Sequence, residues 1–385
     1  MKKKIQLLNK IAACGTDEFD RGAYEVGDGI TDPDAIMVRS AAMHEMLFSP
    51  ELQAIARAGA GVNNIPCDRC AEEGIVVFNT PGANANGVKE LAIAALLLAS
   101  RDIVAGINWA NTLTEDVAKS VEKGKSKFAG CEIKGKTLGV IGLGAIGGMV
   151  ANAARELGMD VMGCDPYMTV NAAWRLSRGV KNAASYEDIY KNADYITLHV
   201  PATPETKNMI CAETLALMKD GVRIINLSRA DLVNAADMKA ALASGKVAKY
   251  VTDFPTEETV NQPGIITIPH LGASTEESED NCAVMAAHEL IDYLENGNIT
   301  NSVNFPAVSM PRSGKCRLVV LHKNQPDMLS RITAVISGDG INIDNMASRS
   351  KGSFACALLD CTADVCDSHI ADISAIDGVI RVLKK

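Results

Sequence analysis

A glycine cluster in the middle of the chain constrains the possible folds more than any other feature. The run Gly142-Leu143-Gly144-Ala145-Ile146-Gly147 follows an apolar segment, 136–141, that predicts a buried strand, and precedes a segment, 148–157, that predicts a helix. In the dinucleotide-binding turn, a strand and a helix flank G-x-G-x-x-G, and the glycines let the backbone approach a pyrophosphate at the helix N-terminus. Since 141 residues precede this turn, we expect another domain to begin the chain.

The length and charge of the chain limit the classes of protein to which it can belong. At 385 residues it is too long for a single core and predicts two or three domains. It carries 38 Lys and Arg against 47 Asp and Glu, and this net charge of −9 argues against general binding to nucleic acid or anionic membranes. An anionic substrate would therefore need a local cluster of positive charge.

The sequence also predicts a cytoplasmic location. No stretch approaches the roughly 18 apolar residues of a membrane span. Asn9 and Lys10 interrupt the apolar run that follows the N-terminal lysines, so we interpret that run as a first strand rather than a signal peptide. The eleven scattered cysteines predict reduced thiols. Cys67 and Cys70 form a C-x-x-C without a second pair, which we interpret as two helix positions, and we predict no metal site.

Polar residues follow the predicted strands where ligands bind in parallel sheets. Ligands gather at the C-terminal ends of strands in open α/β sheets, so these positions predict the walls of a site. Strands predicted at 35–38, 54–59 and 75–78 lead into loops that contain Arg39 and Ser40, Gly61 and Val62, and Asn84. Strands predicted between 136 and 272 end at Asp165, His199, Ser228 with Arg229, Asp253 and His270.

The end of the chain predicts a separate small module. Strands at 318–321, 340–343, 354–359 and 379–383 and helices at 328–337 and 368–375 follow a linker rich in small residues and proline. Their order, βαββαβ, is that of a ferredoxin-like module. Its size suits a sensor or an assembly module better than a further catalytic domain.

Asp165, Arg229 and His270 indicate the chemistry of the predicted site. Asp165 lies 23 residues after Gly142 at a strand end, where its carboxylate can bind the ribose hydroxyls of NAD and would repel the 2′-phosphate of NADP. Hydride transfer to a ketone requires a proton donor, and His270 suits that role near neutral pH. Arg229 offers a forked donor for a substrate carboxylate.

In combination these residues resemble the D-isomer-specific 2-hydroxyacid dehydrogenases. The resemblance covers residues 1 to about 305 and rests on the glycine turn, Asp165, His199-Val200-Pro201, Asn226-Leu227-Ser228-Arg229 and Pro269-His270-Leu271-Gly272-Ala273-Ser274. It implies an NAD-dependent dehydrogenase whose substrate domain is split around the nucleotide domain and whose catalytic residues are Arg229, Glu258 and His270. The NAD-binding positions that it implies are Gly142, Gly144, Ala145, Ile146, Gly147, Asp165, His199, Val200, Pro201, Thr206, Leu227, Ser228, Asp253 and Gly272.

The catalytic glutamate is ambiguous. The family shows an aspartate and then a glutamate just before a proline, whereas this chain has Asp253-Phe254-Pro255-Thr256-Glu257-Glu258-Thr259. Ungapped counting from Arg229 through Asp253 selects Glu258, and matching Phe-Pro-Thr-Glu selects Glu257. We favour Glu258, which would orient the histidine and stabilise its protonated form.

The substrate is indicated by Val38-Arg39-Ser40. Within the family, the chain is most similar to members that oxidise 3-phospho-D-glycerate to 3-phosphohydroxypyruvate, the first step of L-serine biosynthesis, and in those members an arginine and a serine at these positions meet the phosphate. The resemblance places Gly61, Val62 and Asn84 at the substrate as well. Two alternatives are a hydroxypyruvate or glyoxylate reductase and a non-catalytic NAD-sensing regulator.

The C-terminal module resembles an ACT domain through Leu321-His322-Lys323-Asn324-Gln325-Pro326 and Gly340-Ile341-Asn342-Ile343. The resemblance implies an amino-acid effector bound by His322, Asn324 and Asn342 at a subunit interface. The ACT pattern continues Pro-Gly-Val-Leu, whereas this chain has Pro326-Asp327-Met328-Leu329. Asp327 adds bulk and negative charge beside the expected effector carboxylate, so we predict that feedback by serine is weakened, lost or redirected to another ligand.

The predicted fold is α/β, with two doubly wound parallel-sheet domains and a C-terminal ferredoxin-like, ACT-like domain. A flavodoxin-like substrate domain would span 1–98 and 274–306, an inserted Rossmann NAD domain 99–273, a linker 307–315, and the module 316–385. The predicted partners are the small substrate, an amino-acid effector and further copies of the chain, as a dimer or a tetramer. No nucleic-acid or membrane partner is predicted.

Overall fold

The secondary structure alternates strands and helices along most of the chain. A computed structural model describes residues 2–385. Its strands are β1 (Lys3–Leu8), β2 (Tyr24–Gly27), β3 (Ala35–Val38), β4 (Ala54–Arg57), β5 (Val76–Asn79), β6 (Thr137–Ile141), β7 (Asp160–Cys164), β8 (Val180–Asn182), β9 (Tyr195–Leu198), β10 (Val222–Asn226), β11 (Val247–Thr252), β12 (Ile265–Thr267), β13 (Cys316–Lys323), β14 (Ile343–Lys351), β15 (Phe354–Cys361) and β16 (Val379–Lys384). Its α-helices are α1 (Ala13–Thr16), α2 (Cys67–Glu72), α3 (Ala85–Ser100), α4 (Ile103–Ala110), α5 (Val117–Gly124), α6 (Ala145–Glu156), α7 (Val170–Trp174), α8 (Tyr186–Asn192), α9 (Ala212–Leu217), α10 (Ala235–Ala243), α11 (Glu276–Asn296), α12 (Met328–Gly338) and α13 (Asp367–Ser374).

The chain divides into two compact units. The first unit contains the residues up to Asn84 together with Glu279–Lys385, and the second contains Ala85–Ser278. In the first unit, five parallel strands are ordered β2-β1-β3-β4-β5, which is the flavodoxin-like doubly wound order. The same unit contains a four-stranded antiparallel sheet ordered β14-β15-β13-β16.

The second unit is built on one parallel sheet ordered β12-β11-β10-β9-β6-β7-β8. Counted from β6 as the first strand, this is the Rossmann order 3-2-1-4-5-6 with one further edge strand. The order reverses between β6 and β9, and ligands bind in such sheets at that point of reversal. The predicted pair of doubly wound parallel-sheet domains is therefore confirmed.

Strands β3 and β9, which lie inside the two parallel sheets, are mostly apolar. All residues of β3 and of β9 are buried. A parallel sheet is covered by helices on both faces, so its inner strands consist of continuous apolar residues rather than an alternating pattern. In the second unit, α3 contributes a buried face of small residues that packs against β10, β11 and α6; the buried members are Ala92, Ala95, Leu96 and Ala99.

The antiparallel sheet is buried on both faces, which explains the unbroken apolar run of β13. One face shares a core with α11 and the five-stranded sheet of the same unit, through Val319, Leu321, Cys356, Leu358 and Tyr293. The other face is covered by α12 and α13, through Leu318, Val320, Leu359, Ile332, Ile336 and Ile373. Successive residues of a strand point to opposite faces, so both sets come from the same strands.

A fully buried ion pair joins β13 to β15. Arg317 and Asp360 are both 0% exposed, and the Arg317 Nε and Nη2 donate to the Asp360 carboxylate at 2.5 and 2.7 Å. Hydrogen bonds from the guanidinium hold the pKa of Asp360 below its ordinary value although burial acts in the opposite direction. Arg317 also donates to the carbonyls of Asn296, Met310 and Pro311, so this one side chain fixes the segment before β13 to the sheet.

One strand of the C-terminal module differs from the sequence prediction. The second strand of the C-terminal module is β14, Ile343–Lys351, not residues 340–343. It is a partly exposed edge strand with polar residues at most positions, so no apolar pattern marked it.

All eleven cysteines are free thiols. Within residues 2–385, every helix is too short or too polar to cross a bilayer.

Candidate active site

Different physical constraints act on the three glycines of the 142–147 turn. Gly142 has φ 87°, and a Cβ there would lie 2.5 Å from the carbonyl oxygen of His199. A Cβ on Gly147 would lie 1.9 Å from the carbonyl oxygen of Gly142. A Cβ on Gly144 would meet nothing within 4 Å, and its φ of −66° suits any residue. The protein's own packing explains Gly142 and Gly147, whereas the open space at Gly144 suits a ligand that approaches the backbone closely.

The surroundings of this turn fit a dinucleotide. Asp165 follows β7, and its two carboxylate oxygens accept hydrogen bonds from the backbone N–H groups of Leu143 and Tyr167, each at 2.9 Å. The carboxylate is thereby fixed beside the turn and keeps lone pairs for ribose hydroxyls. The first turn of α6 carries no acidic side chain, so its N–H groups can face a pyrophosphate. The residues Ala145 and Ile146 begin that helix.

Short hydrogen bonds fix the loops that follow β9 and β10. Ser228 Oγ donates to the carbonyl of Leu198 at 2.6 Å, and Thr206 Oγ1 donates to the carbonyl of Pro201 at 2.6 Å. His199 Nε2 lies 2.9 Å from Thr197 Oγ1, and its Nδ1 is buried without a hydrogen-bond partner among residues 2–385. Burial lowers the pKa of His199 to about 4, so this imidazole is neutral at physiological pH.

The structure brings Arg229, Asp253 and His270 together. Asp253 is 1% exposed, and burial raises its pKa, while the charges of His270 and Arg229 counteract part of that rise. The backbone N–H of His270 donates to the Asp253 carbonyl at 3.0 Å, and its ring lies 4.7 Å from that of Phe254. The Asp253 Oδ1 is buried and has no hydrogen-bond partner among the described residues. Gly272 lies beside the same carboxylate, where a Cβ would be 3.3 Å from Oδ2.

The exposed position of Arg229 leaves its guanidinium available to a ligand. Asn226 Nδ2 donates to the Arg229 carbonyl at 2.8 Å and fixes the backbone directly after β10. One guanidinium nitrogen, Nη1, donates to the Ser228 carbonyl at 2.7 Å. The other N–H donors of the planar group can meet a carboxylate. Leu227, before this pair, is buried.

The two candidate glutamates lie on one exposed turn. Glu257 and Glu258 line a cavity of about 570 Å³ with residues that include Phe254 and Asp231. Hydrogen bonds between Thr256 and Thr259 hold the turn. In the part of the chain that the structure describes, neither glutamate forms a hydrogen bond with His270. The structure therefore joins two of the three predicted catalytic residues through Asp253 and leaves the glutamate apart.

In the first unit, two arginines lie at neighbouring strand ends. Arg39 follows β3, and its Nη2 lies 2.5 Å from Glu279 Oε1. Arg57 is the last residue of β4, and its Nε donates to the Arg39 carbonyl at 3.0 Å. A Cβ on Gly59, where φ is 148°, would lie 1.7 Å from Arg57 Nη1. These two arginines bring positive charge to the strand ends of the first unit, and Glu279 compensates part of it.

Sequence reasoning missed Arg57 and Glu279. Arg57 ends β4, which pairs with the strand that precedes Arg39, but the predicted strand continued to residue 59 and so did not place Arg57 at a strand end. Glu279 lies 240 residues after Arg39, and nothing local in the sequence connects them.

The other predicted substrate residues follow strands β3, β4 and β5 of the first unit. The backbone N–H of Ser40 donates to Asn9 Oδ1 at 3.0 Å, which fixes the turn after β3. Gly61 and Val62 lie in the loop after β4, where Asn79 Nδ2 donates to the Ala60 carbonyl at 2.6 Å. Asn84 is half-buried in the turn directly before α3.

Comparison with known proteins identifies the family. Residues 93–272 match the family described as D-isomer specific 2-hydroxyacid dehydrogenase, NAD binding domain. The D-3-phosphoglycerate dehydrogenase of Escherichia coli (strain K12) is 33% identical to this chain, over 94% of this chain and 90% of that protein. The chain belongs to the D-isomer-specific 2-hydroxyacid dehydrogenase family. It is an NAD-dependent dehydrogenase.

Further relatives and solved structures agree with membership of this dehydrogenase family. The D-3-phosphoglycerate dehydrogenase of Methanocaldococcus jannaschii is 33% identical over 83% of this chain and 62% of that protein. The NAD⁺-bound 3-phosphoglycerate dehydrogenase of Entamoeba histolytica has a TM-score of 0.62 and 27% identity, covering 79% of this chain and 99% of that one. A glyoxylate reductase from Paecilomyes thermophila, 24% identical with a TM-score of 0.64 over 78% and 98% of the chains, shares the fold.

In a dehydrogenase with this turn, Gly144→Val is expected to weaken NADH binding at least about tenfold, a loss of about 1.4 kcal/mol. A Cβ at Gly144 meets no protein atom within 4 Å, so we expect thermal stability to change little. Fluorescence titration with NADH and thermal unfolding measure the two effects. Gly29→Val is the matched control, because a Cβ at Gly29 also meets nothing within 4 Å. Equal NADH affinity in both variants would show that the cofactor does not approach Gly144.

Proposed function

We propose that this dehydrogenase oxidises 3-phospho-D-glycerate at C2 to 3-phosphohydroxypyruvate, the first step of L-serine biosynthesis. Arg39 and Arg57 carry the proposal, because they place two positively charged side chains at neighbouring strand ends in a chain whose net charge is −9. The E. coli relative, a D-3-phosphoglycerate dehydrogenase that matches 94% of this chain, supports the same substrate.

The residues of the second unit would carry the chemistry. Bound NAD supplies the acceptor for the hydride that leaves C2. Arg229 binds the substrate carboxylate through its forked donors and polarises the adjacent carbon–oxygen bond. His270 accepts the proton of the C2 hydroxyl as that bond becomes a carbonyl. The buried Asp253 carboxylate interacts electrostatically with both Arg229 and His270, and would favour the positive charge that His270 acquires when it accepts the proton.

Glu258 is proposed to orient His270 and to stabilise the imidazolium, with Glu257 as the alternative. Both lie on the turn after Phe254, whose ring contacts the His270 ring, so a movement of that turn changes the surroundings of the imidazole. A carboxylate that reaches the imidazole raises the fraction in the protonated form and so assists proton acceptance.

The phosphate is proposed to bind Arg39, Arg57 and Ser40. In the structure Glu279 occupies one side of Arg39, at 2.5 Å. A phosphate dianion offers Arg39 a bidentate, charge-assisted partner that is stronger than one carboxylate oxygen on a half-exposed side chain. Glu279 would therefore hold Arg39 extended until the substrate displaces it. Gly61, Val62 and Asn84 would bind the remainder of the substrate from the adjacent loops.

A steady-state assay tests the proposed function. With NAD in excess, 3-phospho-D-glycerate is expected to be oxidised with a kcat/KM at least about tenfold above that of D-glycerate, because only the phosphorylated substrate meets the arginine pair. A preference for D-glycerate would instead indicate a hydroxypyruvate or glyoxylate reductase. A complete lack of turnover with either substrate would favour the regulatory NAD sensor.

The antiparallel module is proposed to be an ACT-type regulatory domain in a homo-oligomer. Its strand order, β16-β13-β15-β14, and its two helices support that proposal. Of the proposed effector residues, His322 is 3% exposed with Nδ1 2.7 Å from the Lys323 carbonyl, and Asn324 Nδ2 donates to the Gly352 carbonyl at 3.1 Å. Asn342 lies directly before β14, and its carbonyl accepts from Thr362.

Asp327 is the feature of this module that opposes serine binding. It has φ 67°, a left-handed conformation that favours glycine, and its carboxylate accepts a hydrogen bond from Ser330 at the start of α12. A carboxylate here would repel the carboxylate of an amino-acid effector.

The turnover of the wild-type protein is therefore expected to stay unchanged in micromolar L-serine. Asp327→Gly removes both the charge and the left-handed strain, so this variant is expected to gain inhibition by L-serine. Turnover measured against rising L-serine tests both statements, with D-serine as the control ligand. Strong inhibition of the wild type at micromolar L-serine would contradict the role given to Asp327.

A further inference from the structure

A cysteine, a histidine and an aspartate form a connected group at the start of α13, outside the proposed dehydrogenase site. Cys366 directly precedes α13, is exposed, and has its Sγ 2.8 Å from His369 Nδ1 and 3.0 Å from Ser368 Oγ. The other imidazole nitrogen, His369 Nε2, lies 2.8 Å from an Asp339 carboxylate oxygen at the end of α12, as an ion-pair contact outside hydrogen-bond geometry. His369 is only 7% exposed, so the protein interior fixes the ring between the two groups.

This order of groups is the one that activates a thiol. A histidine beside a cysteine stabilises the thiolate as an ion pair, and a carboxylate on the second ring nitrogen orients the ring and supports its charge. Here the Ser368 hydroxyl and the His369 backbone N–H at the helix start also face the sulfur. The hydrogen bond with Ser368 contributes most, and the contacts with His369 add to it. Together they lower the pKa of Cys366 to about 7. Contacts with Cys366 and Asp339 raise the pKa of His369, although burial lowers it.

Besides His369, one positive and two negative side chains lie near Cys366. Lys384 on β16 donates to the carbonyl of Val365, one residue before Cys366, and its Nζ also lies 2.8 Å from Asp364. Asp367 begins α13. The positive charge that faces the sulfur most directly is therefore that of His369.

Cys14 provides an internal comparison, because it is the other exposed cysteine. Its thiol donates a hydrogen bond to the Asp280 carbonyl, with an Sγ–O distance of 3.7 Å, and this bond favours the protonated form. Partial burial and this contact with Asp280 raise the pKa of Cys14. The surroundings thus raise the pKa of one exposed cysteine and lower that of the other, so exposure alone does not distinguish them.

We propose that Cys366 is a modification site that reacts with low-molecular-weight disulfides to form a mixed disulfide, and that His369 and Asp339 are its positioning residues. The Cys366 thiolate attacks one sulfur of the reagent, a new S–S bond forms, and the S–S bond of the reagent breaks. The departing sulfur keeps the electron pair of the broken bond and takes the proton of the His369 imidazolium. Cys366 is thereby oxidised, and half of the reagent is reduced to a free thiol.

The test measures the reaction of the full-length protein with a substoichiometric amount of the chromogenic disulfide 4,4′-dithiodipyridine. Peptide mass mapping of the wild type is expected to place the fast-reacting label on Cys366. At pH 7 we expect this cysteine to react about five- to tenfold faster than Cys14, because its larger thiolate fraction outweighs its lower intrinsic nucleophilicity. Cys366→Ser is expected to remove the fast phase, and the matched control Cys14→Ser to keep it.

The pH dependence tests the positioning residues. Thiolate forms as pH rises, so the fast rate is expected to reach half its maximum near pH 7, about where Cys366 titrates. Asp339→Asn, a change at an exposed side chain, is expected to move that midpoint upward and to leave dehydrogenase turnover unchanged. A label that is equally fast on Cys14, a fast phase that survives in Cys366→Ser, or a midpoint near the ordinary thiol value of about 8.5 would overturn the proposal. An unmoved midpoint in Asp339→Asn would overturn the positioning role.

Discussion

Replacing His270 with alanine is expected to lower kcat by about 10²–10⁴-fold, the range that a positioned acid–base group contributes. The affinity for NADH should stay within about twofold, because the glycine turn and Asp165 hold the cofactor without His270. Without the imidazole, the C2 hydroxyl has no nearby group to accept its proton, and water replaces it poorly. The measurement combines steady-state oxidation of 3-phospho-D-glycerate with fluorescence titration of NADH.

Suitable controls separate chemistry from folding. His44→Ala removes an exposed histidine in the first unit, whose ring nitrogen only contacts the Asn63 carbonyl, and should leave kcat unchanged. A His270→Ala variant with unchanged kcat would refute the proton-transfer role. Loss of NADH binding together with turnover would point to a structural role for the ring, which packs on Phe254.

The same assay distinguishes the two glutamates. Glu257→Gln and Glu258→Gln change neighbouring exposed side chains on one turn, so each is the matched control of the other. We expect the larger loss of kcat in Glu258→Gln. The reverse order would assign the role to Glu257, and the local match of Phe-Pro-Thr-Glu would then be the correct alignment.

Replacing Arg39 with alanine is expected to lower kcat/KM for 3-phospho-D-glycerate by about 10–100-fold, the loss of one charge-assisted hydrogen-bonded contact of about 1.5–3 kcal/mol. The effect on D-glycerate should be small, because that substrate has no phosphate for Arg39 to bind. Arg39→Lys keeps the charge but not the fork, so we expect an intermediate loss. Arg21→Ala, which removes an exposed arginine paired only loosely with Asp17, is the matched control.

The Glu279 carboxylate complicates the interpretation of the Arg39→Ala variant, and a double variant separates the two effects. Without Arg39, the Glu279 carboxylate would face the phosphate and repel it. The double variant Arg39→Ala with Glu279→Gln removes that repulsion, so it should recover part of the lost kcat/KM. Equal losses of kcat/KM for the phosphorylated and unphosphorylated substrates would show that Arg39 does not bind the phosphate.

Much of the fold could be predicted because the sequence patterns are local. The buried strands β3, β6 and β9 are short, mostly apolar runs, and the glycine turn lies directly between a strand and a helix. The edge strand β14 could not be predicted in the same way. Its polar residues face solvent, and its pairing with β15 depends on backbone hydrogen bonds that any sequence can form.

The site was predictable only in part, because pairs of distant residues build it. His270 and Arg229 were recognisable from their positions after strands. Their connection through the buried Asp253 required the folded sheet, in which β11 lies between β10 and β12. The same holds for Cys366, whose activation depends on an aspartate that α12 brings from 27 positions earlier in the chain.

The sequence alone determined that a dinucleotide-binding turn lies in the middle of a split chain, because glycine spacing and strand–helix order are local properties. Only the tertiary structure decided which of those glycines are required by packing and which leaves room for a ligand. It also decided which charges meet: Arg39 with Glu279, Arg317 with Asp360, and Cys366 with His369 and Asp339. Such contacts arise when sheets and helices pack, and electrostatic energy depends on the distance in space rather than the separation in sequence.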